Sequence, residues 1–299
     1  MTNMRLIQIA IVLCFFAAGC NNQQKQRNME TQEKSEVTQT TTAVSKDGTA
    51  IAYEKTGQGP AIILVNGALS DRKTYDQTGW TSMLAKNFTV IIYDRRGRGE
   101  STDTKPYDAE REIEDIKALI DIAGGSAYLF GSSSGAALSL LAAEKLGPEK
   151  VTKLALYEPP YGSNVKKEFA KQKIKVNELV DDGKPADAIA FFMESLGTPP
   201  DQLEGMKKSP QWDGMVSMGH TLVYDFEVLR DGEVPKDVAK NITIPTLVMN
   251  GEKSFDFMAA TADTVAEAIP GAQRKTIKGQ THNPSPESVV PVLVEFFGK

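Results

Sequence analysis

Short apolar runs alternating with helix-forming stretches constrain this chain more than any other feature of its sequence. Thr49–Tyr53, Ala61–Val65, Thr89–Tyr93, Ala127–Phe130, Val151–Tyr157, Thr246–Met249 and Arg274–Ile277 are strand-like. Turn formers such as Lys46-Asp47-Gly48, Gly59-Pro60 and Asn66-Gly67 bound them. Several are apolar almost throughout, as strands covered on both faces of a parallel sheet are. Between them, Ile113, Ile116, Leu119, Ile120 and Ala123 share one helical face. Ala136–Leu146 is a strong helix former that stops at Gly147-Pro148, and Val289–Phe297 predicts a closing helix. Strands alternating with helices predict an α/β fold with an open, doubly wound, mostly parallel sheet. Residues 161–235 break the rhythm, with helical patterns, Pro199-Pro200 and several methionines but no strand. They are expected to form a helical cap inserted over the strand ends, where open α/β sheets bind ligands.

The N-terminus stands outside this pattern. Residues 1–20 pair a basic start with the apolar run Leu6–Phe16 and close on Ala17-Ala18-Gly19-Cys20, the pattern of a secretory signal. The run is short for a membrane span. Ala-Ala-Gly-Cys resembles the lipobox of bacterial lipoproteins, in which the cysteine is diacylated and becomes the new N-terminus. The resemblance implies lipidation at Cys20, export, and anchoring to a bacterial membrane; an ordinary cleaved signal ending near a cysteine is the alternative. Cys14 would leave with the signal, so the body has no disulfide and no thiol chemistry. Residues 21–42 hold almost nothing apolar and are expected to be a disordered tether to the folded domain at 43–299. With two histidines and no body cysteine, no metal site and no cofactor is expected. A net charge of −5 without a basic stripe speaks against nucleic acid as a partner. The sequence does not fix an oligomeric state.

The strongest chemical signal is Phe130-Gly131-Ser132-Ser133-Ser134-Gly135, a predicted strand running at once into a predicted helix. G-x-S-x-G in that setting is a nucleophile elbow, with Ser133 as its nucleophile. The turn leaves no room for side chains at Gly131 and Gly135, and the helix start favours developing negative charge. A serine hydroxyl needs a base to remove its proton. The candidates are His282, in Gly279-Gln-Thr-His282-Asn, and His220, which falls in the cap and is expected to pack or to line a pocket.

With these motifs, residues from about 44 onward resemble the α/β-hydrolase superfamily. Val65-Asn66-Gly67-Ala68 occupies the place of that family's His-Gly oxyanion loop, and Asp94-Arg-Arg-Gly97-Arg-Gly99-Glu-Ser101 resembles its D-x-R-G-x-G-x-S loop. The resemblance implies hydrolysis by Ser133 and His282, with Ala68 and Ser134 N–H groups forming the oxyanion hole. It assigns the Asp94–Ser101 loop a structural role, with Asp94 bonding loop amides. Asn66 departs from the usual histidine.

The third triad member is the point of departure. The family places an aspartate after the seventh strand as G-x-x-D, but here Gly251-Glu-Lys-Ser254 puts a serine there. Asp256 lies two residues further on, and Glu158 follows the sixth strand in Tyr157-Glu158-Pro-Pro160. Glu158 is the preferred acid, with Asp256 the substitute. Met206, Met215, Met218, Trp212 and Phe226 either line an apolar acyl pocket or pack the cap. The expected activity is esterase-like, on a small-molecule acyl substrate through an acyl-enzyme. A non-catalytic surface binding protein on the same scaffold is the competing class, and a cofactor-free peroxidase or carbon–carbon hydrolase would use the same triad.

Overall fold

A computed structural model of the chain describes residues 41–298. The signal reading over 1–20, with Cys20, and nearly all of the tether at 21–42 lie outside the described residues. Among those described, no helix is long and apolar enough to cross a membrane.

Eight strands form one sheet in the order β1-β2-β4-β3-β5-β6-β7-β8. They are β1 (Thr42–Val44), β2 (Ala50–Thr56), β3 (Ala61–Val65), β4 (Thr89–Tyr93), β5 (Ala127–Ser132), β6 (Val151–Tyr157), β7 (Thr246–Gly251) and β8 (Gln273–Ile277). β1 with β2 and β2 with β4 are antiparallel, and every later pairing is parallel. The sequence did not announce β1: only Ala43 of its three residues is buried. It takes in Thr42, the last residue assigned to the tether.

The apolar strands follow from burial on both faces. In β3, Ile63 and Val65 join a core shared with Ile113, Ile116 and Leu119 of α3 (Ala109–Ile122). Ile62 and Leu64 face the other way, onto the cluster holding Trp80 and Leu84 of α2 (Trp80–Leu84) and Leu293 of the last helix. Alternate residues thus serve opposite layers, so neither face tolerates a polar period. α1 (Lys73–Gln77) precedes α2, and α4 (Ser134–Leu146) follows β5. Asp108 caps α3, its carboxylate accepting the Glu110 N–H at 2.8 Å.

Between β6 and β7 the chain forms α5 (Lys166–Asp181), α6 (Pro185–Ser195), α7 (Pro200–Lys207), α8 (Trp212–Met218), a 3₁₀ turn over Gly219–Thr221, α9 (Leu222–Val228) and α10 (Lys236–Ala239). Their own apolar cluster joins Val176, Ile189, Leu222 and Phe226. Trp212 and Met215 pack into it and Met218 is buried, so these residues build the insertion. α11 (Met258–Ala268) and α12 (Pro286–Gly298) complete the fold.

The loop after β4 is held by charge. Asp94 accepts the N–H groups of Arg72 and Glu100, each at 2.8 Å, and pairs with the Arg72 guanidinium. Gly99 passes so close that a Cβ there would stand 2.3 Å from the Asp94 carboxylate. Arg96 grips Asp115 of α3 at 2.8 and 2.7 Å and Asp47 at 2.9 Å. This matches the structural role expected for the loop.

The elbow depends on backbone contact. A Cβ on Gly135 would stand 2.2 Å from the Val65 carbonyl and 2.5 Å from that of Asn66, both main-chain atoms with no freedom to yield. Gly135→Ala is therefore expected to cost about 1–3 kcal/mol, as overpacking does, and to lower the melting temperature by several degrees. Melting alongside the wild type would show that α4 does not press on β3 this closely.

Candidate active site

Strand register decides which loops meet. Val65 pairs with Gly131, so the Asn66-Gly67-Ala68 loop leaves β3 beside the elbow. Ser132 pairs with Tyr157, so Glu158 leaves β6 on its other side. All of these lie at the carboxyl ends of parallel strands, where open α/β sheets hold ligands.

Ser133 occupies the turn between β5 and α4 with φ 57° and ψ −129°, a conformation that L-residues rarely adopt. Its N–H donates to the Tyr157 carbonyl at 2.9 Å and its carbonyl accepts from Ala136 at 2.9 Å. A Cβ on Gly131 would lie 2.3 Å from the Gly135 carbonyl, and one on Gly67 would lie 2.9 Å from the Ser133 Cβ. Glycine at these positions lets three segments converge on the serine.

The His282 Nε2 lies 3.1 Å from the Ser133 Oγ, and its Nδ1 lies 2.6 Å from the Glu158 Oε2. Nδ1–H donating to the carboxylate leaves Nε2 free to accept the serine proton. Glu158 is fully buried, and its backbone takes φ 50°. Its N–H donates to the Met249 carbonyl at 2.9 Å, which turns the residue toward the end of β7. There the Gly251 N–H donates to Oε1 and the Ser254 hydroxyl to Oε2, each at 2.7 Å. A buried carboxylate with three donors is satisfied without water. The His282 loop is braced by the Tyr157 hydroxyl, which donates to the Thr281 carbonyl at 2.5 Å.

Asp256 is exposed and has no hydrogen-bond partner among the described residues. The structure does not bring it to the imidazole. Ser254, standing where the sequence led one to look for an acid, instead supports the carboxylate that arrives from β6.

Neither the Ala68 nor the Ser134 backbone N–H has a hydrogen-bond acceptor among the described residues, and both residues line one cavity with Ser133 and His282. The cavity measures about 540 Å³. Phe169, Phe192, Leu196, Phe226 and Leu229 line it from the insertion, and Phe255, Phe257 and Met258 from beyond β7. Phe255 and Phe257 stack at 5.9 Å and are 39% and 45% exposed, with Phe255 also 5.5 Å from the His282 ring. Of the methionine and aromatic residues weighed for an acyl pocket, Phe226 alone lines this cavity. His220 does not: its Nδ1 sits 3.1 Å from the Ser217 carbonyl, and its ring meets Tyr224 edge-on.

Two carboxylates line the cavity, and each is paired. Glu168 bonds Lys171 at 2.8 Å. Asp225 of α9 is buried between Arg95 and Arg98. Burial pulls its carboxyl upward, but the two guanidiniums outweigh that and hold it below the ordinary carboxylate range. Sequence reading missed Asp225, and nothing local to Tyr224-Asp225-Phe226 marks it; only the fold brings it to the arginines.

A serine–histidine–carboxylate array at the strand ends of this sheet, its carboxylate buried, belongs to the α/β-hydrolase enzymes. Residues 58–288 match the family described as Hydrolase_4: Serine aminopeptidase, S33, and the chain belongs to that family. A solved α/β hydrolase from Sphaerobacter thermophilus DSM 20745 is 45% identical, with a TM-score of 0.78 over 86% of this chain and 100% of its own. Serine hydrolase BPHL of Mus musculus is 24% identical over 257 residues, 82% of this chain and 80% of that protein. Uncharacterized hydrolase YraK of Bacillus subtilis (strain 168) is 35% identical over 116 residues, which are 38% of this chain and 42% of that protein.

The geometry separates the two candidate acids by mutation. Glu158→Gln is expected to lower ester turnover by about two to four orders of magnitude, because the imidazole loses both its orientation and its countercharge. Asp256→Asn is expected to leave turnover within about twofold. Steady-state kinetics on both variants checks this, and the reverse ranking would refute it.

Proposed function

We propose that the chain is a serine hydrolase of small, uncharged, apolar acyl substrates, esters or thioesters, acting through an acyl-enzyme. The observation that carries this reading is the continuous run from Glu158 through His282 to the Ser133 hydroxyl, at 2.6 and 3.1 Å. Ser133 Oγ attacks the carbonyl carbon as His282 Nε2 takes its proton. The carbonyl oxygen becomes negative and is met by the Ala68 and Ser134 N–H groups. Collapse breaks the bond to the leaving oxygen or sulfur, which receives the proton from His282, and the acyl group stays on Ser133. Water, deprotonated by His282, then releases the acid and restores the serine.

Substrate class follows from the lining. Aromatic and aliphatic side chains dominate the cavity walls, which favours an apolar acyl group. The family's description names an aminopeptidase, whose substrate brings an ammonium that needs an unpaired carboxylate. Asp225, the buried carboxylate nearest the serine's helix, is already engaged by Arg95 and Arg98, which supports a neutral ester over a peptide N-terminus. Export and lipid attachment at Cys20 belong to the same proposal, resting on the Ala-Ala-Gly-Cys motif; a mature N-terminus found unmodified by mass spectrometry would refute them.

The first test is hydrolysis of p-nitrophenyl esters of short and medium acyl chains by the chain and its Ser133→Ala variant. Turnover that rises with acyl length until the cavity is filled and vanishes in the variant is expected, along with rapid labelling by a fluorophosphonate. Absence of both turnover and labelling would sink the reading in favour of a scaffold that only binds.

A further inference from the structure

We propose that Asp225, a residue of the helical insertion, is a positioning residue that orients both N–H donors of the oxyanion hole. This rests on the hydrolase reading above. The residue is 3% exposed and lies in α9. It accepts from Arg95 at 2.7 Å, from Arg98 at 2.9 Å on both oxygens, and from the Ser134 hydroxyl at 2.7 Å. Ser134 is the residue whose backbone N–H forms one half of the hole, so Asp225 fixes that residue by its side chain.

The other half is reached through Arg98. Its Nη1 donates to the Gly67 carbonyl at 2.5 Å. That carbonyl and the Ala68 N–H belong to one planar trans peptide unit, so they point in opposite directions. Pinning the oxygen on one side aims the N–H at the other, and Gly67 runs so near the serine that a Cβ on it would stand 2.9 Å from the Ser133 Cβ. Arg95 adds a bond of 3.3 Å to the Asn66 carbonyl in the preceding peptide.

The two arginines differ in how much they depend on Asp225. Arg95 is also clamped by Glu112, at 2.6 Å through each of two nitrogens, and keeps its place without Asp225. Among the described residues Arg98 has side-chain bonds to Asp225 and Gly67 alone, and its buried Nε has no partner. Removing the carboxylate therefore frees Arg98 in particular, and with it the Gly67–Ala68 peptide. Seating α9 on the sheet thus bears on the Gly67–Ala68 peptide through Arg98 and on Ser134 directly.

The test compares oxoesters with the matching thionoesters, whose sulfur is a larger and weaker acceptor that profits little from a shaped hole. Full-length wild type, Asp225→Asn and Ser134→Ala are assayed, with thermal melting as a check on folding. In Asp225→Asn, kcat on the oxoester is expected to fall about 10- to 100-fold, short of the loss seen when a hole donor is deleted outright, with KM changed less than about threefold. The oxoester-to-thionoester ratio should fall by a similar factor, which a merely structural role would not produce. Ser134→Ala, which spares the ion pairs and so the fold, should show a smaller loss with the same signature. The two losses should combine less than additively in the double variant, because both act on one array. A folded Asp225→Asn with an unchanged ratio overturns the inference alone. So does an unchanged ratio in Ser134→Ala should Asp225→Asn fail to fold. Absence of Ser133-dependent turnover in the wild type overturns the hydrolase reading and this inference with it.

Discussion

The left-handed backbone of Ser133 is the constraint to which the neighbouring structure conforms. A non-glycine residue held there costs about 1–3 kcal/mol and persists only where its surroundings over-determine it. Here they do: β6 accepts the Ser133 N–H, the first turn of α4 takes its carbonyl, and glycines at 67, 131 and 135 admit backbone to near contact. The strain is useful because it sets the hydroxyl above the sheet instead of into either core. It also explains why β3 and β6 must flank β5. Only adjacent parallel strands in this register deliver Ala68 and Glu158 to opposite sides of the same serine.

Glu158 shows how a carboxylate leaving β6 reaches an imidazole that follows β8. β7 is the direct neighbour of β8, after which His282 follows, whereas β6 is one strand further away. Glutamate carries one methylene more than aspartate, and the Glu158 backbone turns toward β7 through its N–H bond to Met249. The loop after β7 serves this carboxylate, since Ser254 and the Gly251 N–H donate to it. Because an ionised carboxylate at this depth needs full hydrogen bonding, Ser254 and the carboxylate at 158 form one arrangement.

Much of this was legible in the sequence, for identifiable reasons. The strands from β3 to β7 announced themselves because burial on two faces demands apolar runs, whereas β1, at the sheet edge and with one buried residue, did not. Ser133, His282, Ala68 and Ser134 sit next to glycines or at element junctions, where local backbone needs leave a mark. The choice between Glu158 and Asp256 stayed open because both follow strands, and proximity to an imidazole 124 residues away from Glu158 is not a local property. Asp225 left no trace at all: its partners Arg95 and Arg98 are 130 and 127 residues distant. The aromatic pair at 255 and 257 was hidden by lying outside the insertion expected to form the pocket.

The cluster of Arg95, Arg98, Glu112 and Asp225 poses a problem that stability does not solve. Each member is almost wholly buried, and the desolvation of buried ions commonly consumes what their attraction returns. Apolar side chains of similar volume would fill the same space between α3, α9 and the elbow about as favourably. What they would lack is donors for the Gly67 and Asn66 carbonyls and an acceptor for the Ser134 hydroxyl. The loop after β3 passes the elbow with the Asn66 side chain turned aside, its amide reaching back to the Asp71 carbonyl at 2.8 Å. Its carbonyls, then, are the handles by which its peptide planes can be set, and guanidinium forks are suited to gripping them while paired to carboxylates. A costly buried array beneath the serine is reasonable where the direction of an N–H matters more than the free energy of holding it.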